Sequence, residues 1–283
     1  MVERRGTSGI LAHVVMMLGV LIVAFPLYLA LVASTHTAQE IVQAPMPLLP
    51  GGHMWESYKS ALFGRETSAG SNAPVAHLMW VSLVTALVIS IGKISISLLS
   101  AFAIVYFRFP FRKTCFWAIF ITLMLPVEVR ILPTYKVLAD LNLLNTYAGL
   151  TVPLIASATA TFLFRQFFLT VSEELTEASR IDGASPMQFF FDVLLPLSKT
   201  SIAALFVIQF IYGWNQYLWP LLATTGEDMY PVVVGIKRMI AGGDSQNEWN
   251  VVMATAILAM LPPALVVVLM QKWFVKGLVD TEK

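Results

Sequence analysis

The sequence predicts an all-α, polytopic membrane protein with six transmembrane helices, and three observations carry that expectation. Hydrophobic residues make up 57% of the 283 and charged residues only 12%, about half the ~25% charged fraction of a soluble domain. That supply of charge cannot cover a water-facing surface, which excludes a soluble enzyme. The apolar runs come in blocks of about 20 residues, the length of a helix crossing a hydrocarbon core of about 30 Å. They are also too long and continuous for the alternating strands of a closed barrel. In lipid, a spanning segment must satisfy its own backbone donors and acceptors, which a helix does.

The first expected span, Leu11–Ala33, follows Arg4 and Arg5. A basic start of this kind is also found in signal peptides, but about 23 apolar residues exceed their usual core of 7–15, and no clean A-x-A site follows. It reads as a signal-anchor helix. Residues 34–75 hold Pro45, Pro47, Pro50, Gly51 and Gly52 and are expected to be irregular, with at most a short helix around Trp55–Leu62. The further spans are expected at Ala76–Tyr106, Thr114–Thr134, Tyr147–Phe168, Ser201–Ala223 and Val251–Trp273. Residues 224–250 form a second outer loop, and residues 169–200 the one long inner loop.

Orientation follows from Lys and Arg. With the N-terminus inside, eleven of the 18 basic residues fall on the cytoplasmic side and five outside, leaving Lys93 and Arg130 in the membrane. Both termini are expected in the cytoplasm. The single Cys115 excludes a disulfide framework. His13, His36, His53 and His77 are scattered, with no metal-ligand spacing.

The inner loop is the most specific stretch. Thr170 and Glu173 make a capping-box pattern, with Glu173, Glu174 and Glu177 crowding the next turn, so a helix is expected over about Val171–Asp182. Gly183 stands where a helix end needs a left-handed residue. Ser185, Pro186 and Gln188 then start a second helix, and Pro196 is expected to stop it. Neither short helix buries its apolar side alone, which leaves two readings: an interfacial pair on lipid headgroups, or a pair docked in a partner's groove. The acidic first helix weighs against an anionic leaflet and favours a protein.

The stretch Glu177-Ala178-Ser179, three residues, Gly183, nine residues, then Val193-Leu194-Leu195-Pro196 resembles the EAA loop of binding-protein-dependent ABC import permeases. Ser179 replaces an alanine and Val193 an isoleucine of that family's pattern. Trp214-Asn215-Gln216-Tyr217-Leu218-Trp219-Pro220 is similar to the W-N-x-x-L-W-P segment of the sugar and glycerol-phosphate branch. Leu125–Arg130, Ser157–Thr161 and Gly277–Asp280 resemble its glycerol-phosphate members. The resemblance implies a type-1 core over residues 76–273, preceded by an N-terminal helix and outer segment in 1–75 and followed by a cytoplasmic tail, 274–283. It implies a coupling loop in 169–200, with Glu177, Ala178, Asp182, Gly183 and Pro196 as docking residues. The implied partners are a second permease subunit forming a heterodimer, two ATP-binding subunits and a periplasmic solute-binding protein. The membrane lipid is its other surrounding, and no nucleic-acid contact is expected. The chain itself is expected to hold no cofactor and no catalytic residue, because ATP and Mg belong to the ATP-binding subunits. The implied substrate is sn-glycerol-3-phosphate or a glycerophosphodiester, with a neutral sugar such as a maltose-like oligosaccharide as the alternative.

The membrane charges are candidates for the substrate path. Lys93 costs about 2.5–3.5 kcal/mol at a helix centre, so it faces protein, water or an interface. It is either a positive wall for a phosphate-bearing solute or a lysine that snorkels or pairs within the bundle. Gly92-Lys93 is no phosphate-binding loop, because Leu87 and Ile94 stand where that motif needs Gly and Ser or Thr. Glu128 and Arg130 lie between Pro126 and Pro133, which are expected to break the third span and free backbone groups. Arg130 is either an attractor for an anionic substrate or half of a structural ion pair. Trp214, Asn215, Gln216 and Tyr217 either serve hydroxyls in the path or make belt and helix–helix contacts.

Overall fold

The computed structural model describes residues 7–64, 66–67, 70–71, 74–122, 127–240 and 248–279. Helix dominates them. The strand content among the described residues is one antiparallel pair, Glu66–Thr67 with Gly70–Ser71. Among the described residues, three helices are long and apolar enough to cross a membrane: α1 (Thr7–Ala33) through its stretch Gly9–Ala33, α4 (Val75–Tyr106), and α15 (Trp249–Val279) through its stretch Trp249–Trp273. Two bent pairs bring the number to five if each is one span. One pair joins Tyr147–Leu154 to Ala158–Leu169 at 48°, the other Pro186–Leu197 to Lys199–Trp214 at 72°.

The expected fourth span is therefore bent, with Ser157 capping its second half through a bond from the Ala160 N–H. The expected fifth span is broken too. Its first part, α12 (Lys199–Trp214), ends before Asn215, and α13 (Leu218–Ala223) follows a three-residue break. In the expected third span the chain forms α5 (Arg112–Ile121) and α6 (Val127–Asp140), while Leu125 and Pro126 lie outside the described residues. Pro133 does not break the helix as expected, because α6 runs through it. The expected sixth span lies in α15, which continues past Trp273 to Val279.

The described residues fall into two compact units. One comprises residues 1–77 and 235–261. In it, the outer segment is more ordered than its prolines suggest. Besides α3 (Met54–Phe63), at the expected place, it forms α2 (Ala38–Val42), started by a capping box between Thr37 and Glu40. The segment folds back on the end of α1: Tyr28 Oη donates to the Leu48 carbonyl at 2.6 Å and the Gly51 N–H to Thr35 Oγ1 at 2.7 Å. His36 lies between two acceptors, Nδ1 3.1 Å from Glu40 Oε2 and Nε2 2.9 Å from the Leu49 carbonyl. Both contacts are satisfied at once only by the imidazolium, which donates from both nitrogens. The Leu49 carbonyl, with a smaller contribution from Glu40, holds the His36 pKa above its ordinary 6.5 against the opposing effect of burial. The Thr37 N–H and His36 lower that of Glu40.

The other unit comprises residues 78–234 and 262–283. At 32 residues α4 is about 48 Å long, well beyond a hydrocarbon core of about 30 Å. Two apolar clusters divide its length. Val81 and Ile89 pack with Ile131 and Leu138 of α6, Leu150 and Leu154 of the fourth span, and Trp219 of α13. Ile94, Leu98 and Phe102 pack with Phe164 and Phe168 of α8 (Ala158–Leu169) and with Phe189, Phe190 and Leu194 of the inner loop. The protruding end of α4 is thus a post against which the inner loop is built.

Candidate functional site

The inner loop comes from two helix boundaries. Its first helix, α9 (Glu173–Ile181), ends in a Schellman turn: the Gly183 N–H donates to the Arg180 carbonyl at 3.1 Å and the Ala184 N–H to the Ser179 carbonyl at 3.0 Å. The turn puts Gly183 at φ +74°, a conformation that glycine adopts without the Cβ penalty. Two residues on, the Ser185 hydroxyl accepts from the Gln188 N–H, and the Gln188 side chain accepts from the Ser185 N–H. Pro186 takes the first helical position, where a missing N–H costs nothing. These features stand as the sequence expects.

The start of α9 does not. Thr170 ends α8 instead, its hydroxyl bonded back to the Phe167 carbonyl, and Ser172 is the cap, accepting from the Glu174 N–H. Pro196 is the second correction, because it does not stop the chain. The helix begun at Pro186 widens into a π turn over Phe189–Leu194, resumes as a short α segment, Leu195–Leu197, and bends into α12 at Ser198. An ordinary α turn would set the carbonyl of Asp192 against the proline ring. The wider turn ends just before that ring.

The π turn divides the loop's apolar side. Phe190 meets Phe102 with ring centroids 5.0 Å apart and Phe189 meets Tyr106 at 5.3 Å. Ile181, 85% exposed, together with Leu175 and Met187, stays outside. Glu177 lines a polar cleft with Arg108, Arg112 and Arg180. Ala178 and Asp182 are exposed near the turn. Sequence reasoning missed Ile181, although an apolar residue beside the turn glycine of an acidic helix was a signal for an unfilled contact.

The two cations expected in the membrane, Lys93 and Arg130, lie on α4 and α6. Lys93 is the nineteenth residue of α4 and only 6% exposed. Its Nζ stands 3.6 Å from the centroid of the Tyr212 ring on α12. Among the described residues it makes no ion pair and no hydrogen bond. The charge felt by Lys93 among the described residues is that of another cation, Arg130 of α6, itself exposed. The side chain of Glu128 lies outside the described residues. Glycine allows the close approach of α4 and α12: a Cβ on Gly213 would sit 2.9 Å from the Cα of Ala86. Of the four polar-belt candidates, Trp214 is buried and stacked on Phe210 at 5.8 Å. Gln216 Nε2 donates to the Tyr212 carbonyl at 3.1 Å. Asn215 is exposed and Tyr217 half-buried at the break between α12 and α13. The structure therefore brings Lys93 and Tyr212 into contact, leaves Arg130 acting on Lys93 only through its charge, and gives Trp214 a packing role.

A helical chain with three helices long enough to cross a membrane, a structured loop over residues 169–200 and a buried Lys93 facing no acid among the described residues defines a class of polytopic membrane subunits. The chain belongs to the family of binding-protein-dependent transport system inner membrane components, whose model matches residues 93–280. It is thus a multi-pass inner-membrane subunit of a transport system. It is 60% identical over the full length of both chains to the sn-glycerol-3-phosphate transport system permease proteins UgpE of Brucella melitensis and Agrobacterium fabrum. It is 59% identical, again over the full length of both, to that of Pectobacterium atrosepticum. Its fold is that of a chain in a bacterial ABC transporter involved in the import of the acidic polysaccharide alginate. That match has a TM-score of 0.77 at 23% identity, covering 97% of this chain and 99% of the other.

Proposed function

We propose that this chain is the permease subunit of an ATP-driven importer that moves sn-glycerol-3-phosphate, and by the same chemistry glycerophosphodiesters, across the cytoplasmic membrane. The observation that carries the substrate is the buried Lys93 with Arg130 as its charged neighbour, in a chain whose full-length relatives are named for glycerol-3-phosphate. Two cations facing no acid among the described residues suit a phosphate ester, since ionised partners make the stronger hydrogen bonds. A neutral sugar would leave them without a counter-charge. Asn215, Gln216 and Tyr217, at the break after α12, are proposed to meet the glycerol hydroxyls, with Trp214 supporting them from the packed side.

In this reading the chain crosses the membrane six times, residues 112–140 supplying the remaining span, and both termini face the cytoplasm. A second permease subunit completes the cavity as a heterodimer, and a periplasmic solute-binding protein delivers the substrate. Two ATP-binding subunits hold ATP and Mg, and this chain holds no cofactor. The loop of residues 169–200 docks on one ATP-binding subunit, with Glu177, Ala178 and Asp182 facing it, Gly183 setting the turn and Pro196 marking the return to the membrane. The exposed Ile181 fits a groove in the same partner. Closure of the ATP-binding subunits pulls this loop, and the rigid stack of Phe189 and Phe190 on α4 passes the motion to the helix that carries Lys93.

The test is uptake of labelled glycerol-3-phosphate, with a neutral disaccharide for comparison, in cells with and without the chain. Loss of only the phosphate ester's uptake on deletion, restored by the chain, is expected. Loss of only the disaccharide's uptake would overturn the substrate.

A further inference from the structure

A buried ammonium needs something in place of water, and here it has neither acid nor carbonyl among the described residues. It has a ring. The Lys93 Nζ lies 3.6 Å from the centroid of Tyr212, well inside the ~6 Å reach of a cation–π contact. The backbone at this point is pinned by Gly213 against Ala86 and by the bond from Gln216 to the Tyr212 carbonyl. Only the side chain is left to move, and no described hydrogen bond ties down the Tyr212 hydroxyl.

We propose that the Tyr212 ring stands in for the substrate's anion: it holds the Lys93 ammonium in the empty permease, and an anionic solute displaces it. Tyr212 is then a specificity-determining residue. A phosphate oxygen forms a charge-assisted hydrogen bond with the ammonium and outcompetes the ring. A neutral hydroxyl makes a weaker bond and leaves the ring in place. Arg130 favours the same exchange, since its charge repels Lys93 and attracts the incoming anion. The ring thus sets a threshold that only charged solutes pass. This inference rests on the proposed substrate class and adds a residue that neither the sequence motifs nor the charges themselves pointed to.

The test changes the ring's electrostatics at nearly constant shape. Position 212 is filled in turn with phenylalanine, 4-fluorophenylalanine and 3,4,5-trifluorophenylalanine in the assembled transporter. Binding of labelled glycerol-3-phosphate is measured in nanodiscs without the solute-binding protein. Fluorination withdraws the negative face of the ring, so the dissociation constant should fall stepwise, by about tenfold across the series. A flat or rising series overturns the role of Tyr212, since a residue that only fills space would respond to shape and not to ring charge. Absence of binding in the wild type, with cellular uptake of glycerol-3-phosphate intact, also overturns it and leaves the transport function standing. Absence of both removes the function itself.

Discussion

Gly183 gives the sharpest test of the inner loop, because its surroundings isolate one physical cause. Its φ is +74°, and a Cβ built on it meets nothing within 4 Å. A side chain there suffers no clash within this chain, so the whole penalty lies in the backbone. A left-handed conformation costs an ordinary L-residue about 1–2 kcal/mol, whereas asparagine visits it readily. Gly183→Val should therefore disfavour the Schellman turn by about 1–2 kcal/mol or more, roughly 5–30-fold in its equilibrium. Gly183→Asn, of similar volume, should stay near wild type. The assay is the apparent affinity of the proposed ATP-binding subunits for the proposed permease pair, measured beside ATP-driven uptake. The expected order is glycine, asparagine, alanine, valine. Wild-type assembly and transport in Gly183→Val would refute the reasoning. An equal loss for asparagine and valine would assign the defect to a steric clash with the partner and not to the turn.

Two further perturbations follow from the geometry. The His36 contacts make the outer segment pH-dependent: a raised histidine pKa gives stabilisation that is full below 6.5 and lost as the pH rises through the folded value. The lowered Glu40 pKa gives stabilisation present above 4.5 and lost on acidification. Amide exchange in residues 35–53 should therefore be slowest, after correction for intrinsic rates, between those values and faster at pH 8. His36→Gln should flatten the difference on the alkaline side, and a variant that kept it would dismiss His36 as its source. At the α4–α12 contact, Gly213→Ala sets a Cβ 2.9 Å from backbone, the Cα of Ala86, and should cost about 1–3 kcal/mol. Ala86→Gly removes only the more distant Cβ at 3.4 Å and should not restore the melting temperature in detergent; full rescue would contradict the packing described.

The parts of the molecule legible in its sequence are those fixed within a few residues. The turn at Gly183, the capping box of Ser185 and Gln188, and the helix near Trp55 each depend on neighbours in the chain. Thr170 shows where this fails: Thr170 and Ser172 are both good caps, and which one starts α9 depends on where α8 ends. Pro196 was expected to stop a helix because an α ladder cannot accommodate it, but a π turn absorbs it. The bends at 155–157 and at Ser198 were invisible because apolar continuity carries no information on direction. The capping box of Thr37 and Glu40 was present as T-x-x-E and was obscured by the prolines that follow. The contact of Lys93 with Tyr212 lay beyond any local signal. It joins two distant helices, and it exists because Gly213 lets them approach.

The most direct test is ATP-driven accumulation of labelled glycerol-3-phosphate in proteoliposomes. These would hold the proposed partner permease and ATP-binding subunits, supplied with the proposed solute-binding protein, with and without this chain. Accumulation only when the chain is present, and of glycerol-3-phosphate but not of a neutral disaccharide, is the expected result. Equal accumulation without the chain, or accumulation of the disaccharide in place of the phosphate ester, would contradict the proposed role.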